Sequence, residues 1–391
     1  MSTNALALFP ELTEQPNRTT GLLPSHRLEE LVCAGHLKAS SPILPDQIQP
    51  CSIDLRLGAR AYQVRASFLP NQSSTVHARL ADLLVRELDL SKPTLLARGS
   101  VYIVPLQEEL FLPDNFSGKA NPKSSTGRLD VFTRLITDYG NTFEDIRPGY
   151  RGKLYAEIVP LTFPVVVREG VRLNQLRIRL GNPPPSDKMI SELHEREPIV
   201  YFQDESPAEP LISKGLNLSV SLLGIGSEII GYRARRHAPP IDLSKVNYYD
   251  VAVFWEPLYR NSERSIVLQP GEFYIVASKE KVSIPPHMAA EMLTFDPSFG
   301  EFRVHYAGFF DPGFGWNPQR PTGSHAVLEV RSHEVPSLIE DGQVVARLNY
   351  EPLLAPPAKL YGQGIGSSYQ SQSLTLGKHF KKIDPRPGPS S

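Results

Sequence analysis

The sequence predicts an all-β protein made of two tandem domains, mainly strands with a few short helices. The 391 residues include 37 prolines, scattered rather than in tandem, and this density interrupts helices and suits short strands with many turns. The chain also repeats itself, because residues 100–104 read SVYIV and residues 272–276 read EFYIV, 172 positions later. A fixed-period repeat marks duplicated structural units, and a unit of this length is a domain.

Composition narrows the possible classes of function. The 41 basic and 42 acidic residues give a net charge of −1, which supplies no global field for nucleic acid or an anionic membrane. The two cysteines, Cys33 and Cys51, lack metal-type spacing and fit a reducing compartment. No apolar run approaches the ~18 residues of a membrane span, and residues 1–24 lack a signal-peptide core. We therefore expect a cytoplasmic protein with neither nucleic acid nor membrane as a partner.

Local patterns divide the chain into three predicted parts. These are a flexible N-terminal arm (1–22), a first domain (23–200) and a second domain with a C-terminal tail (201–391). Helical spacing predicts helices at 26–37 and near 187–196, and apolar–polar alternation predicts a half-buried strand at 53–57. Further short strands between turn signals are predicted at 99–105, 108–112, 130–136, 153–159, 163–168 and 174–180, and again at 216–223, 249–255, 272–277, 280–284, 326–330 and 343–351. This spacing is typical of a β-sandwich, jelly roll or barrel.

The densest polar cluster is KSSTGR, residues 123–128. A lysine, three hydroxyls, a glycine and an arginine within six residues could cradle a polyphosphate, because hydroxyls and backbone N–H groups donate while the cations neutralise charge. The alternative is a polar turn that caps a helix through Ser124 or Ser125.

A glutamate lies inside an apolar strand in both copies. Glu157 follows Ala156 in the first copy, and Glu329 lies 172 positions later in the second. A carboxylate is costly to bury unless it is paired, and such positions are enriched in catalytic acids and bases. A solvent-facing glutamate is the alternative for either copy alone, but the recurrence favours an inherited role.

Five motifs in one order carry a family resemblance. They are IDLRLG (53–58), KSSTGR (123–128), PGYRG (148–152), the strand glutamate and EGVRLNQL (169–176). The order resembles the dCTP deaminase/dUTPase superfamily, closer to its deaminase branch, and the two-copy chain resembles that branch's longer, fused form. The resemblance implies tandem dUTPase-like distorted jelly-roll or β-barrel domains and a homo-oligomer, a trimer or a pseudo-hexameric arrangement. It also implies dCTP, dUTP or dTTP as ligands and conversion of dCTP to dUTP and ammonia in dTTP precursor synthesis.

The resemblance also implies roles for individual residues. The positions that match the catalytic glutamate and the residues that hold water beside it are Glu157, Arg128 and Ser125. The positions expected to bind substrate are Lys123, Ser124, Gln175 and, as a guess for the base-contacting hairpin, Asp138. Two departures stand out, because Lys123 replaces the usual arginine and Arg147 replaces the usual aspartate before Pro-Gly.

The second copy retains a different subset of the motifs. It keeps possible equivalents at Ala307, Asp311 and Glu329, but residues 293–298 read LTFDPS, which has no cation and adds a carboxylate. A triphosphate would be repelled there, so we do not expect an independent site. Tyr361 and Gln363 lie in a tail that resembles the deaminase segment closing over the nucleotide; the alternative for this Gly/Ser/Gln-rich tail is disorder.

These residues lead to an expected mechanism and two rivals. Zinc deaminases need a His/Cys ligand set that this chain lacks, so we expect zinc-independent deamination with Glu157 as the general base and Mg²⁺ carried by the triphosphate. The first rival is dUTP pyrophosphatase activity, alone or joined to deamination. The second is a non-enzymatic β-domain for binding or assembly, since fold alone does not settle function.

Overall fold

The computed structural model describes residues 18–293, 302–304, 308–319, 322–332, 334–362 and 373–382 of the chain. Residues 1–17 of the predicted arm, Ala307, residues 294–298 of the second-copy motif and Gln363 lie outside these described residues. Across the described part, strands predominate and the helices are short, which confirms the all-β prediction. No helix in this part is long and apolar enough to cross a membrane.

The elements follow in chain order. The first half contains strands β1 Gly21–Leu22, β2 Leu37–Ala39, β3 Ile53–Arg56, β4 Arg60–Val64, β5 Leu84–Asp89, β6 Thr94–Leu96, β7 Val101–Phe111, β8 Phe116–Pro122, β9 Val131–Thr137, β10 Asp145–Ile146, β11 Arg151–Pro160, β12 Val165–Val167 and β13 Arg172–Leu180. The second half contains β14 Val200–Tyr201, β15 Leu216–Ser221, β16 Ile229–Ala234, β17 Ile241–Asp242, β18 Trp255–Tyr259, β19 Ser265–Leu268, β20 Phe273–Val282, β21 Met288–Leu293, β22 Phe302–Val304, β23 Phe309–Phe310, β24 Ser324–Ser332, β25 Ser337–Glu340 and β26 Val344–Pro352. The helices are α1 Ser25–Cys33, α2 Val76–Leu83, α3 Ser124–Gly127, α4 Asp187–Arg196 and α5 Val251–Phe254.

The two copies of the sequence repeat each form the same pair of neighbouring antiparallel strands. In the first half β11 pairs with β7 so that Glu157 lies opposite Ile103, and in the second half β24 pairs with β20 so that Glu329 lies opposite Ile275. Both partners shift by the same number of positions, so the two glutamates occupy equivalent points of equivalent sheets. The hydroxyl of Tyr102 accepts a hydrogen bond from the Ala97 amide at 2.9 Å, and the equivalent Tyr274 accepts one from Gln269 at 3.0 Å.

Two predicted strands differ from the structure. The segments predicted at 99–105 and 108–112 form the single strand β7, because Pro105 lies opposite Tyr155, next to a register shift in β11, where a strand tolerates a proline. The strand predicted at 249–255 begins instead as helix α5, because the Asp250 carboxylate accepts a hydrogen bond from the Ala252 amide and caps it.

Two further local predictions also need correction. The helix predicted at 26–37 ends at Cys33, because Gly35 adopts a φ of +73° and Leu37 already begins β2. Strand β3 is buried at all four positions rather than at alternate ones. Its polar side chains, Asp54 and Arg56, are buried because each has an ionic partner.

The two halves are joined by apolar packing and by buried ion pairs. A core cluster continues from the first half into the second, where Phe163 packs edge-on against Trp255 at 5.5 Å between ring centroids. On another face Lys119 of β8 pairs with Glu291 of β21 at 2.7 Å, and these are equivalent positions of the two copies, 172 residues apart. Nearby, the buried guanidinium of Arg177 pairs with Asp311 at 3.2 Å. The halves therefore share one interior.

Candidate active site

The polar cluster KSSTGR lies at the end of β8 and forms helix α3. Its N-terminal residue Lys123 caps α3 through the backbone alone, with no side-chain cap, so the alternative in which Ser124 or Ser125 caps a helix is wrong. The cluster borders a cavity of about 290 Å³, close to the lower end of the range for small-molecule sites. The residues that line this cavity are Asp54, Lys123, Ser125, Thr126, Gly170, Val171, Arg172, Leu173, Leu243, Lys378 and His379.

The cavity carries an excess of positive charge. Lys123, Arg172 and Lys378 bring cations to it, whereas Asp54 is its only carboxylate among the described lining residues. Asp54 pairs with Lys123; burial raises the pKa of Asp54, and the Lys123 charge opposes that rise. Arg172 also binds the exposed carboxylate of Asp46 through two hydrogen bonds of 3.0 and 3.1 Å. An anion with several negative oxygens would therefore be held here more strongly than a neutral ligand.

Arg128, which follows α3, faces the glutamate of the other copy. Its Nε lies 3.8 Å from Glu329 Oε1, and one of its terminal nitrogens donates to the Thr375 carbonyl at 2.8 Å. Both side chains are buried. Burial raises the pKa of Glu329 to about 7, with the Arg128 charge opposing the rise. A carboxyl group with this pKa can accept and return a proton at neutral pH.

A second ion pair ties the same loop to the same strand. Arg331 lies two positions after Glu329 on β24, hence on the same face, and its Nε donates to the buried carboxylate of Asp130 at 3.1 Å. Thr162 also donates to that carboxylate, at 2.5 Å. Asp130 adopts a φ of +56°, an uncommon conformation that directs the loop towards β24. The ion pairs Arg128–Glu329 and Asp130–Arg331 therefore fix the position of the polar cluster against the second half.

Glu157 has a different arginine as its partner. It is fully buried, and Arg134 on the neighbouring strand β9 donates to its Oε1 from Nε at 3.1 Å and from a terminal nitrogen at 2.5 Å. The Arg134 guanidinium lies in turn over the ring of Phe143, 3.4 Å from its centroid. The expectation that Arg128 acts on Glu157 therefore differs from the structure, which brings Arg128 together with Glu329.

Three other predicted residues lie outside the cavity. Gln175 was expected in a turn but lies within β13, opposite Asp54 on β3 and Asn121 on β8. Asp138 follows β9, and its carboxylate accepts a hydrogen bond of 2.8 Å from the Val76 amide at the start of α2. Ser124 is partly buried in α3 but does not line the cavity.

The two predicted residues of the second half, Asp311 and Tyr361, also have their partners outside the cavity. Asp311 accepts hydrogen bonds from Arg177 at 3.2 Å and from the thiol of Cys51 at 3.3 Å. Tyr361 packs its ring against Phe314 at 5.7 Å between centroids, and its amide donates to Pro312 at 2.8 Å.

A segment of the tail for which the sequence predicts no role borders the cavity. Residues 373–382, here called the C-terminal strap, lie along residues 247–249. Phe380 packs against Phe254 and Trp255 at 5.4 and 5.9 Å between centroids. The strap brings Lys378 and His379 to the cavity, and burial lowers the pKa of His379 to about 4, so that it is neutral at pH 7. The aromatic residue within the basic sequence KHFKK (378–382) was the one signal that this tail docks.

Among the residues that the structure describes, no group of three or more His, Cys, Asp and Glu side chains could hold a metal ion.

Comparisons with known proteins agree with one another. The family model for the 2'-deoxycytidine 5'-triphosphate deaminase N-terminal domain matches residues 19–182, and that for the C-terminal domain matches residues 186–380. The crystal structure of 2'-deoxycytidine 5'-triphosphate deaminase from Agrobacterium tumefaciens is 50% identical, with a TM-score of 0.82 over 86% of this chain and 100% of that one.

Shorter curated relatives give the same result over the part that they match. A "dCTP deaminase, dUMP-forming" from Dictyoglomus thermophilum is 29% identical over 160 residues, which is 39% of this chain and 77% of that protein. One of the same description from Methanosphaera stadtmanae is 27% identical over 177 residues, 44% of this chain and 84% of that protein. The chain belongs to the dCTP deaminase family.

Proposed function

We propose that this chain deaminates dCTP to dUTP and ammonia at a site assembled from both of its halves. The observation that carries the proposal is the buried pair of Arg128 and Glu329, 3.8 Å apart, in which Arg128 directly follows helix α3, whose Ser125 and Thr126 line a cavity rich in cations. The cavity has the charge needed for the triphosphate, and the carboxyl has a pKa of about 7, suited to proton transfer. Arg128 comes from the first half of the chain and Glu329 from the second, so neither half alone provides this pair.

The reaction needs one water molecule and one proton shuttle. Glu329 accepts a proton from a water beside Arg128, and the water oxygen forms a bond to cytosine C4. The protonated Glu329 then delivers this proton to N3. Glu329 next takes the remaining proton from the new C4 hydroxyl and passes it to the exocyclic amine, so that the C4=O bond forms, the C4–N bond breaks and ammonia leaves. Arg128 stabilises the carboxylate form of Glu329 whenever Glu329 has given up its proton. Ser125, one turn before Arg128 on the same face, is the residue proposed to hold the water.

In the proposed reaction Mg²⁺ binds together with the substrate, and zinc has no role. Mg²⁺ bound with the triphosphate would neutralise phosphate charge. Asp54 could hold it, because its buried Oδ1 has no hydrogen-bond partner in the described part of the chain. Deamination without zinc remains part of the proposal and is supported by the glutamate that could activate the water in its place.

A second candidate is release of pyrophosphate after deamination. The relatives from Dictyoglomus thermophilum and Methanosphaera stadtmanae carry the description "dUMP-forming", which favours it. Asp311, the hairpin aspartate kept by the second copy, argues against it because that carboxylate is buried against Arg177 rather than facing the cavity. We therefore favour dUTP as the product.

The test is to incubate the protein with dCTP and Mg²⁺ and measure ammonia and pyrophosphate together. Ammonia without pyrophosphate supports the proposal, and both in equal amounts support the dUMP-forming alternative. If dCTP and dUTP neither react nor raise the melting temperature, the non-enzymatic binding module is favoured. The predictions of a homo-oligomer and of dTTP as a ligand are separate, and sedimentation with and without dTTP would test them.

A further inference from the structure

We infer that Asp130 and Arg331 are positioning residues for the proposed reaction, because their ion pair holds Arg128 at its working distance from Glu329. The inference rests on the proposed function for the reaction that this placement serves. The pair joins the loop that follows helix α3 in the first half to strand β24 of the second half. Neither Asp130 nor Arg331 lines the cavity, so their effect on catalysis passes through the residues that they hold.

The two ion pairs between this loop and β24 differ in how closely they are made. Arg128 Nε lies 3.8 Å from Glu329 Oε1, which is longer than a hydrogen bond. Arg331 instead donates to the Asp130 carboxylate from Nε at 3.1 Å and also from a terminal nitrogen. The Thr162 hydroxyl donates to the same carboxylate at 2.5 Å and accepts from Arg331 at 2.8 Å. The hydrogen-bonded pair therefore determines where the loop lies, and the longer pair takes the distance that results.

The backbone couples Asp130 to Arg128. The Asp130 amide donates to the Gly127 carbonyl at 2.8 Å and closes a turn that contains Arg128. Asp130 itself adopts a φ of +56°. On the other side of the ion pair, Arg331 donates to the Gly271 carbonyl at 2.8 Å, which ties its guanidinium to the second half. A displacement of Asp130 would therefore move Arg128 with it.

The order of the charges fixes the register between the loop and β24. The loop carries a cation and, two positions later, an anion, whereas β24 carries an anion and, two positions later, a cation. A slip of two residues in one direction would place Arg128 against Arg331, and a slip in the other direction would place Asp130 against Glu329. Both slips bring like charges together in a buried place, so only the observed register is favourable.

The positioning pair is useful because Glu329 changes its charge during the proposed reaction. When Glu329 accepts a proton, its attraction for Arg128 weakens, whereas Asp130 and Arg331 take no part in the proton transfer. From the loop, the Arg128 charge lowers the pKa of Glu329 and the Asp130 charge raises it, while β20 places Ile275 opposite Glu329. Loss of Arg331 would leave Asp130 without its cation and Arg128 less firmly held, and both changes raise the pKa of Glu329.

The test compares the wild type with Arg331→Met, Arg331→Lys and Asp130→Asn. The control is Lys119→Met, which breaks another ion pair between the two halves. Ammonia release from dCTP gives kcat and KM. Urea unfolding of each protein with and without Glu329→Gln, across a series of pH values, gives the pKa of Glu329, because the difference between the two titrates with that carboxyl group.

We expect Arg331→Met and Asp130→Asn to lower kcat by about 10²-fold, the effect of a misplacement of about 1 Å, while KM changes little. Asparagine tolerates the positive φ, so Asp130→Asn removes the charge without straining the backbone. Arg331→Met should also raise the pKa of Glu329, and Arg331→Lys, which keeps the charge, should restore part of kcat. Lys119→Met should match the wild type in kcat and in the pKa of Glu329.

The outcomes separate this inference from the proposed function. Wild-type kcat in Arg331→Met, a fall in kcat without a rise in the pKa of Glu329, or an equal fall in Lys119→Met would overturn the inference even though dCTP is deaminated. If Arg331→Met does not fold, wild-type kcat in both Asp130→Asn and Arg331→Lys would overturn it. A wild type that releases no ammonia, with a raised pKa of Glu329 in Arg331→Met, would uphold the positioning of Arg128 and overturn the proposed function.

Discussion

Replacing Glu329 by glutamine should strongly slow catalysis and at the same time stabilise the protein at alkaline pH. Glutamine keeps the size of the side chain but cannot accept a proton. General acid–base catalysis typically contributes about 10²- to 10⁴-fold in rate, which corresponds to roughly 3–5 kcal/mol of barrier. We therefore expect kcat for ammonia release from dCTP to fall by about that factor, while dCTP still binds.

The stability effect follows from the pKa of Glu329, raised from 4.5 to about 7 by burial. Between these two values the folded protein binds more protons than the unfolded chain, so stability falls as pH rises through this window. The full penalty, at most about 3 kcal/mol, is present above the folded pKa and absent below the unfolded one. Glu329→Gln, which resembles the protonated acid, should thus be more stable than the wild type at pH 8 and similar to it near pH 4.

Two assays check this prediction, with Glu157→Gln as the matched control. Ammonia release gives kcat, and urea unfolding at pH 5 and pH 8 gives the two free energies. Glu157→Gln should keep most of the wild-type kcat, because Glu157 is paired with Arg134 and not with Arg128 of the polar cluster. Full activity in Glu329→Gln, or loss of activity in Glu157→Gln alone, would refute the assignment. An unchanged pH dependence of stability in Glu329→Gln would refute the pKa argument.

Three further perturbations have defined outcomes. Arg128→Gln should move the acid limb of kcat/KM to higher pH, because its charge lowers the pKa of Glu329; an unmoved limb in a pH–rate profile would contradict this. Arg177→Met leaves the buried Asp311 carboxylate without its cation and should cost about 3–5 kcal/mol in urea unfolding, and a cost below ~1 kcal/mol would contradict it. Phe380→Ala removes the aromatic anchor of the strap, so limited proteolysis should cut within 373–382 faster than in the wild type while the first half stays resistant.

The repeat and the class of fold could be predicted from the sequence because both leave local marks. Tyr102 and Tyr274 stand at the same point of the duplicated segment, and the structure gives their hydroxyls equivalent hydrogen bonds. Alternation and turn residues locate most strands for the same reason. The strand predicted near 250 failed where one capping carboxylate, Asp250, turned the chain into a helix.

The composition of the site could not be predicted in the same way. The family resemblance assigns the catalytic role to Glu157, which follows the polar cluster in the same copy, yet Arg128 meets Glu329 through packing between the two halves. No periodicity encodes that docking. The position of Lys378 depends likewise on a binding surface for Phe380 that is built far away in sequence. Contacts between domains depend on surface complementarity, which a single sequence does not display.

The contact between Lys119 and Glu291 has a consequence for how the two copies can pair. These are equivalent positions of two copies, and they touch each other. In a symmetric dimer of identical chains, a residue on the two-fold axis meets its own twin, so a lysine there would face a lysine. In this chain the two copies carry different residues at the shared point, so opposite charges meet there. Two first halves, or two second halves, packed in the same way would bring like charges into contact, so this interface favours one copy of each kind.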